Sequence, residues 1–236
     1  MPQPSSLDVP DFNNNYSGYN TYPDCDQTSP SEYYATTMTY GTTSYANKKG
    51  RAEVIFWIKK ENIKNILEIG AGLGRDTIFF AKNNIKVEAL DYSKTAVTSI
   101  KKKIKELDLS EFVSAKVFDV RTKLPFKNNT AKGIFSHMLY CMALKNLEVQ
   151  NLNNEILRVL VKGGVNIYTV RNFEDGDYKN GVHIEDETYQ NDGFIINFFS
   201  KKKIEKLLVG FSNIKIDRFN EGNFPRKLFI VQNQKK

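Results

Sequence analysis

The stretch LEIGAGLGRDT (67–77) constrains this chain most. The apolar run NILEIG (65–70), with the acid Glu68 inside it, leads into Gly70, Gly72 and Gly74, and a helical pattern opens at about residue 75. A strand, a glycine turn and a helix in that order place the turn at the carboxyl end of a strand, where α/β sheets bind ligands. Glycines there let the backbone approach a ligand closely and supply dihedrals that other residues avoid. The spacing is GxGxG. A dinucleotide fingerprint would need its third glycine where Arg75 stands, and there is no GxxxxGK[ST] phosphate loop.

The rest of the chain repeats the alternation. Strand patterns at 65–70, 86–91 (KVEALD), 113–119 (VSAKVFD), 131–138 (AKGIFSHM) and 165–171 (VNIYTVR) are separated by helical ones at about 75–83, 94–107 and 147–161. Ser93 suits the N-cap of the second helix, and Gly163-Gly164 reads as the stop of the third. Ser200 then caps a helix to about Val209. IKIDRFN (214–220) and KLFIVQN (227–233) come next, joined by a connection too short for a crossover helix, so they pair antiparallel. The expected fold is α/β: a doubly wound, mainly parallel seven-stranded sheet with an antiparallel final strand. Upstream, NKKGRAEVIFWIKK (47–60) reads as an amphipathic helix that turns Val54, Ile55, Trp57 and Ile58 toward the core. Residues 1–30, rich in Pro, Ser, Asn, Asp and Tyr, read as a disordered tail. Residues 31–236 read as a single domain with an N-terminal helical cover.

Two further acids stand at strand ends. Asp91 ends the second strand, where a carboxylate can accept both hydroxyls of a ribose. Asp119 ends the third, where an acid can accept the amino group of an adenine. One strand-end acid alone caps turns as often as it binds anything. Three acids at successive strand ends, with the glycine loop at the first, favour an adenosine-bearing ligand.

These segments resemble the class I S-adenosylmethionine-dependent methyltransferases over about residues 40–233. LEIGAGLGRDT is similar to the family's first motif, Asp91 in ALDYS to its acidic position, and Asp119-Val120 to its adenine-side position. LPF (124–126) and GIFSHMLY (133–140) resemble the family's fourth-strand segment, and EILRVLVKGGVNIYTVR (155–171) its next helix, double glycine and fifth strand. The GRDT opening and the DGFIINFFS and EGNFPRKLF segments look like small-molecule-type members related to the tellurite-resistance methyltransferases. The fold implied is the Rossmann-like methyltransferase fold and the cofactor implied is S-adenosylmethionine.

By that resemblance, Glu68 steadies the loop, and Gly70, Ala71, Gly72 and Gly74 wall the methionine part of the cofactor. Arg75, Asp76 and Thr77 open the helix, where Asp76 suits the positive dipole end. Asp91 holds the ribose, with Ser93 a further cofactor-binding candidate, Tyr92 stacks near the adenine, and Asp119 and Val120 frame the base. Ser136 and His137 lie beneath the sulfonium, and Tyr40 and Ser44 in the cover are further cofactor contacts. His137 is the candidate base, set against a histidine that only packs or hydrogen-bonds at a strand end. Tyr140, Arg171 and His183 are acceptor-side candidates. The alternative for Arg171 is a salt bridge with an acid at 174–177, that for His183 a surface residue, and that for Cys141 an ordinary buried thiol. GFIINFF (193–199) reads as a lid or as core.

The class of acceptor is narrowed mainly by motifs the chain lacks. FSHML stands where [DN]PP[YF] would mark adenine or glutamine nitrogen methylation, no Pro-Cys marks a cytosine C5 enzyme, and no acid after strand four suits a metal-dependent site. A small-molecule acceptor (thiol, metalloid oxyanion, amine or hydroxyl) fits best, and no metal is expected. The net charge of +7, about +11 once the four acids of the first 30 residues are set aside, keeps RNA or protein methylation as the alternative. Lysines scattered over helix faces, among them Lys101–Lys103 and Lys201–Lys203, read instead as a solvated surface. A non-catalytic cofactor-binding protein is a further alternative. Two distant cysteines, no membrane-length apolar run and no basic-then-apolar start make a cytoplasmic setting the expectation. The oligomeric state is left open.

Overall fold

A computed structural model describes residues 54–142, 144–191, 194–221 and 226–236. The expected tail, Tyr40, Ser44 and the first turns of the 47–60 helix lie outside the described residues. Residues 54–60 are helical (α1) and bury Val54, Trp57 and Ile58. Then come β1 (Asn65–Ile69), α2 (Arg75–Lys82), β2 (Lys86–Asp91), α3 (Lys94–Glu106), β3 (Val113–Val117) and β4 (Ala131–His137). A short 3-10 turn (Leu139–Cys141) leads to α4 (Asn146–Val159) and β5 (Leu160–Arg171). Three short strands, β6 (Val182–Glu185), β7 (Thr188–Asn191) and β8 (Phe194–Asn197), precede α5 (Lys201–Leu207), β9 (Phe211–Glu221) and β10 (Arg226–Lys235).

The main sheet has seven strands in the order β3-β2-β1-β4-β5-β10-β9. β10 runs antiparallel to both β5 and β9, and the other pairings are parallel. Strand order reverses between β1 and β4, and that switch point opens the crevice beside the glycine loop. On one face α4 and α5 bury Val149, Leu152, Ile156, Ile204 and Leu207 against Leu67, Ile69, Ile134, Val170 and Val231. On the other, Phe80 of α2 meets Phe135 of β4 edge-on at 5.0 Å. Ser93 and Ser200 cap α3 and α5 by accepting from the Ala96 and Lys203 amides at 3.2 and 3.1 Å. No helix of the described residues is long and apolar enough to cross a membrane.

Three local expectations are corrected. Gly163-Gly164 does not stop a helix: α4 ends at Val159 and the chain enters β5 at once. The register slips between the Ala131–Leu160 and Gly133–Val165 pairs, and the extra residues form a bulge in which Gly163 takes φ +73°. The third strand ends at Val117, two residues before Asp119. Most consequential is the antiparallel sheet β6-β7-β8, in a stretch whose sequence reads as polar loop around His183. Its strands are four residues each, and VHIE of β6 is exposed throughout, so no buried alternation marks it. GFIINFF thus divides: Phe194 and Ile196 anchor β8, and Phe198 and Phe199 are core.

Candidate active site

The glycine loop is held from beneath by main-chain bonds. The Gly70 and Ala71 amides both donate to the Leu90 carbonyl, at 2.8 and 3.0 Å. Gly70, Gly72 and Gly74 take φ of +73°, +54° and +82°, values that side chains with a Cβ avoid. A Cβ on Gly70 would come within 2.8 Å of Leu139, and one on Gly74 within 2.7 Å of Ile100, so those two are closed against their surroundings. Gly72 faces open space, with nothing within 4 Å of its Cβ position.

Carboxylates brace this loop. Asp91, at the end of β2, accepts from the Gly72 amide at 2.7 Å through one oxygen and from the Ser93 amide at 2.9 Å through the other. A carboxylate has about four acceptor positions, so each oxygen keeps one free. Glu68 is buried in β1 and accepts from the Thr77 hydroxyl at 2.5 Å, which ties the strand to α2. Burial, with the charge of nearby Asp76, pushes the Glu68 carboxyl up to about 8. Asp76, in the first turn of α2, pairs with Arg75 at 3.2 Å. One of the lysines expected on a solvated face, Lys103, is instead buried. Its ammonium donates to the Leu73 carbonyl at 2.9 Å, and desolvation lowers its affinity for a proton.

Across the switch point, β4 ends in Ser136 and His137. The Ser136 hydroxyl is buried and has no hydrogen-bond partner among the described residues. The His137 ring is held on both sides: Nδ1 lies 2.9 Å from the Thr169 hydroxyl, and Nε2 lies 3.0 Å from Glu221 Oε2. Glu221 comes from the end of β9, at the far edge of the sheet, and its other oxygen accepts from Arg75 Nη1 at 2.7 Å. Burial works to raise the Glu221 carboxyl, but the His137 and Arg75 charges outweigh it and hold the group well below the usual carboxylate range. Sequence patterns do not single out Glu221. Its signal is an acid just past the strand pattern, in RFNEGNF.

Other candidates are placed differently. Tyr140 does not face an acceptor: it is wholly buried, its ring 4.8 Å from that of Tyr168, because the 3-10 turn after β4 folds it into the core. Arg171 does not reach a rim. Its side chain is 1% exposed, pairs with Asp175 at 2.6 Å and with Asp177, and lies over the Phe198 ring, as the salt-bridge alternative has it. His183 lies on exposed β6, where Nε2 is 2.8 Å from the Asp186 carbonyl and the ring packs on Tyr189. The Asp119 carboxylate is turned onto Arg121, which it meets through both oxygens, while Val120 is buried beside it. Tyr92 is 52% exposed, next to Asp91. Cys141 is a buried thiol that accepts from the Arg171 amide at 2.9 Å, and burial pushes it up to about 12. A cavity of about 690 Å³ lies elsewhere, lined by Asn65, Lys86, Glu88 and Ser114 at the opposite end of the strands.

A loop of left-handed glycines at the carboxyl end of β1, braced by an acid from β2 at a topological switch point, defines a cofactor-binding α/β domain. Residues 66–164 match the family model described as a methyltransferase domain. Over 121 residues the chain is 33% identical to phosphoethanolamine N-methyltransferase 1 of Triticum aestivum, covering 50% of this chain and 23% of that protein's length. A solved S-adenosylmethionine-dependent methyltransferase from Methanosarcina mazei superposes with a TM-score of 0.61 at 18% identity, covering 73% of this chain and 92% of that one. TehB from Haemophilus influenzae gives 0.61 at 15% identity over 85% of this chain and 66% of that one. Residues 66–164 therefore resemble a methyltransferase domain, and the chain shares the fold of solved S-adenosylmethionine-dependent methyltransferases.

Proposed function

We propose that the chain transfers the methyl group of S-adenosylmethionine to a small-molecule acceptor by in-line displacement. The cofactor supplies the electrophilic methyl; the protein binds it, aligns the acceptor about 3 Å from the methyl carbon and excludes water. The observation that carries this reading is the glycine loop. Gly72 leaves room for a ligand against the main chain, and the Asp91 carboxylate beside it keeps an acceptor position on each oxygen for a ribose diol.

In this reading Gly70, Ala71, Gly72 and Gly74 wall the methionine end. Glu68 and Thr77 brace the loop from behind, with Arg75 and Asp76 at the helix start. Asp91 holds the ribose, Ser93 fixes the turn beyond it, Tyr92 lies over the adenine, and Val120 backs the base. Asp119 is kept from the adenine by Arg121, so its part is to shape that turn. Ser136, an orphaned buried hydroxyl, and His137 lie toward the transferred methyl. The named activity of the wheat relative is on a small amine, which supports a small acceptor.

Calorimetry of the full chain with S-adenosylmethionine tests the reading. Binding is expected, and Asp91→Ala should weaken it at least tenfold, roughly what losing one charged hydrogen bond costs. A wild-type protein that does not bind the cofactor overturns it. A labelled-methyl screen of thiols, metalloid oxyanions, amines and phenols then identifies the acceptor.

A further inference from the structure

We infer that Glu221 is a positioning residue: it fixes the His137 ring in one tautomer and one orientation at the end of β4, and ties that ring through Arg75 to the helix after the glycine loop. The consequence for turnover rests on the methyltransferase reading; the geometry does not.

The inference rests on donors and acceptors. Thr169 Oγ1 accepts from the Met138 amide at 2.9 Å and keeps both its proton and a lone pair for His137 Nδ1, so it serves either tautomer and the choice falls to Nε2. At Nε2 a carboxylate oxygen would repel a bare lone pair. The ring proton belongs on Nε2, with Nδ1 accepting from the Thr169 hydroxyl. Glu221 Oε2 lies 3.0 Å from Nε2 but off the ideal hydrogen-bond line, so the carboxylate acts on the ring through its charge. Glu221 Oε1 accepts from Arg75, whose guanidinium has only donors to offer. β1 is separated from β9 by β4, β5 and β10 in the sheet, so Glu221 joins groups that the strand order keeps apart. With Nδ1 and Nε2 both engaged, His137 serves as a held wall of the site rather than a free base.

The full chain has two histidines, so ¹⁵N imidazole spectra resolve His137 from His183. At mildly alkaline pH, wild-type His137 is expected as the Nε2–H tautomer. In Glu221→Gln the amide oxygen must face Arg75, its NH₂ then points at Nε2, and the tautomer reverses to Nδ1–H. Thr169→Val should keep Nε2–H, and it decides the matter if Glu221→Gln fails to fold by circular dichroism. An unchanged tautomer in folded Glu221→Gln, or a tautomer lost in Thr169→Val, overturns the inference. With an acceptor in hand, Glu221→Gln should lower kcat on the order of tenfold and leave the KM for S-adenosylmethionine unchanged. Should wild-type protein fail to bind S-adenosylmethionine, the functional reading falls while the tautomer result still judges Glu221.

Discussion

The two walls of the crevice are built by different means. On the β1–β2 side the main chain does the work: glycines in left-handed conformations bond to Leu90, and a carboxylate from the next strand holds Gly72. On the β4–β5 side, side chains from distant elements do it. Glu221 of β9 reaches His137 and Arg75, and at the end of β5 the buried Arg171 is locked to Asp175 and Asp177. A wall of local backbone turns is written in consecutive residues. A wall of long-range ion pairs exists only after the sheet is assembled.

The largest effect should come from breaking the second wall. Arg171→Ala leaves the buried Asp175 carboxylate without its cation, and such losses cost about 3–5 kcal/mol. Urea denaturation should show a drop of that size. A change under about 1 kcal/mol would mean that the pair behaves like an exposed one.

Breaking the first wall separates fit from function. Gly74→Ala combines a left-handed φ with a Cβ 2.7 Å from Ile100. Strain of about 1–2 kcal/mol and overpacking of about 1–3 kcal/mol should add there. Gly72→Ala meets nothing within 4 Å and should lose only the strain, about 1–2 kcal/mol. Its affinity for S-adenosylmethionine should nevertheless fall more steeply than its stability, because the methyl group occupies the space left for the ligand. Equal losses of affinity and stability in Gly72→Ala would remove the loop from the binding site.

This contrast also explains what could be read in advance. The seven strands of the main sheet, the antiparallel last strand, the Ser93 and Ser200 caps and the glycine loop all follow from local patterns of apolar period, capping residues and connection length; the strand order does not. Glu221 does not, because nothing near residue 221 indicates that β9 ends beside a histidine 84 positions earlier. Arg171 and Tyr140 look like rim residues because they stand at or just after strand ends. Only packing shows that one is paired in the interior and the other tilted against Tyr168. Lys103 looks like its exposed neighbours Lys101 and Lys102 until the helix turns it under the loop.

Glu68 sharpens the comparison through pH. Its folded carboxyl titrates at about 8, above its ordinary value of 4.5, so the folded state binds a proton that the unfolded state releases. The contribution is therefore fully present below about pH 4.5 and is lost as pH rises toward 8, with a slope of at most about 1.4 kcal/mol per pH unit. Glu68→Gln keeps an acceptor for the Thr77 hydroxyl and removes the titration, so its stability should stay flatter across that window. A wild-type profile that rises from pH 5 to 8 and matches the variant would show that Glu68 is ionised in the fold.

The smallest effect should come from His183. Its ring lies on an exposed strand, bonded to the carbonyl of Asp186 just past that strand's end, and packed on Tyr189 at 5.1 Å. Exposed substitutions of this kind stay within about 0.5 kcal/mol, so His183→Ala should melt close to wild type and bind S-adenosylmethionine unchanged. The measurement that matters is turnover with the acceptor found by screening. A large rise in KM for that acceptor, with cofactor affinity intact, would move His183 into the acceptor site and make the inserted sheet part of the crevice wall. An unchanged KM leaves His183 as a surface histidine, and the chemistry stays with the residues gathered between β1 and β4.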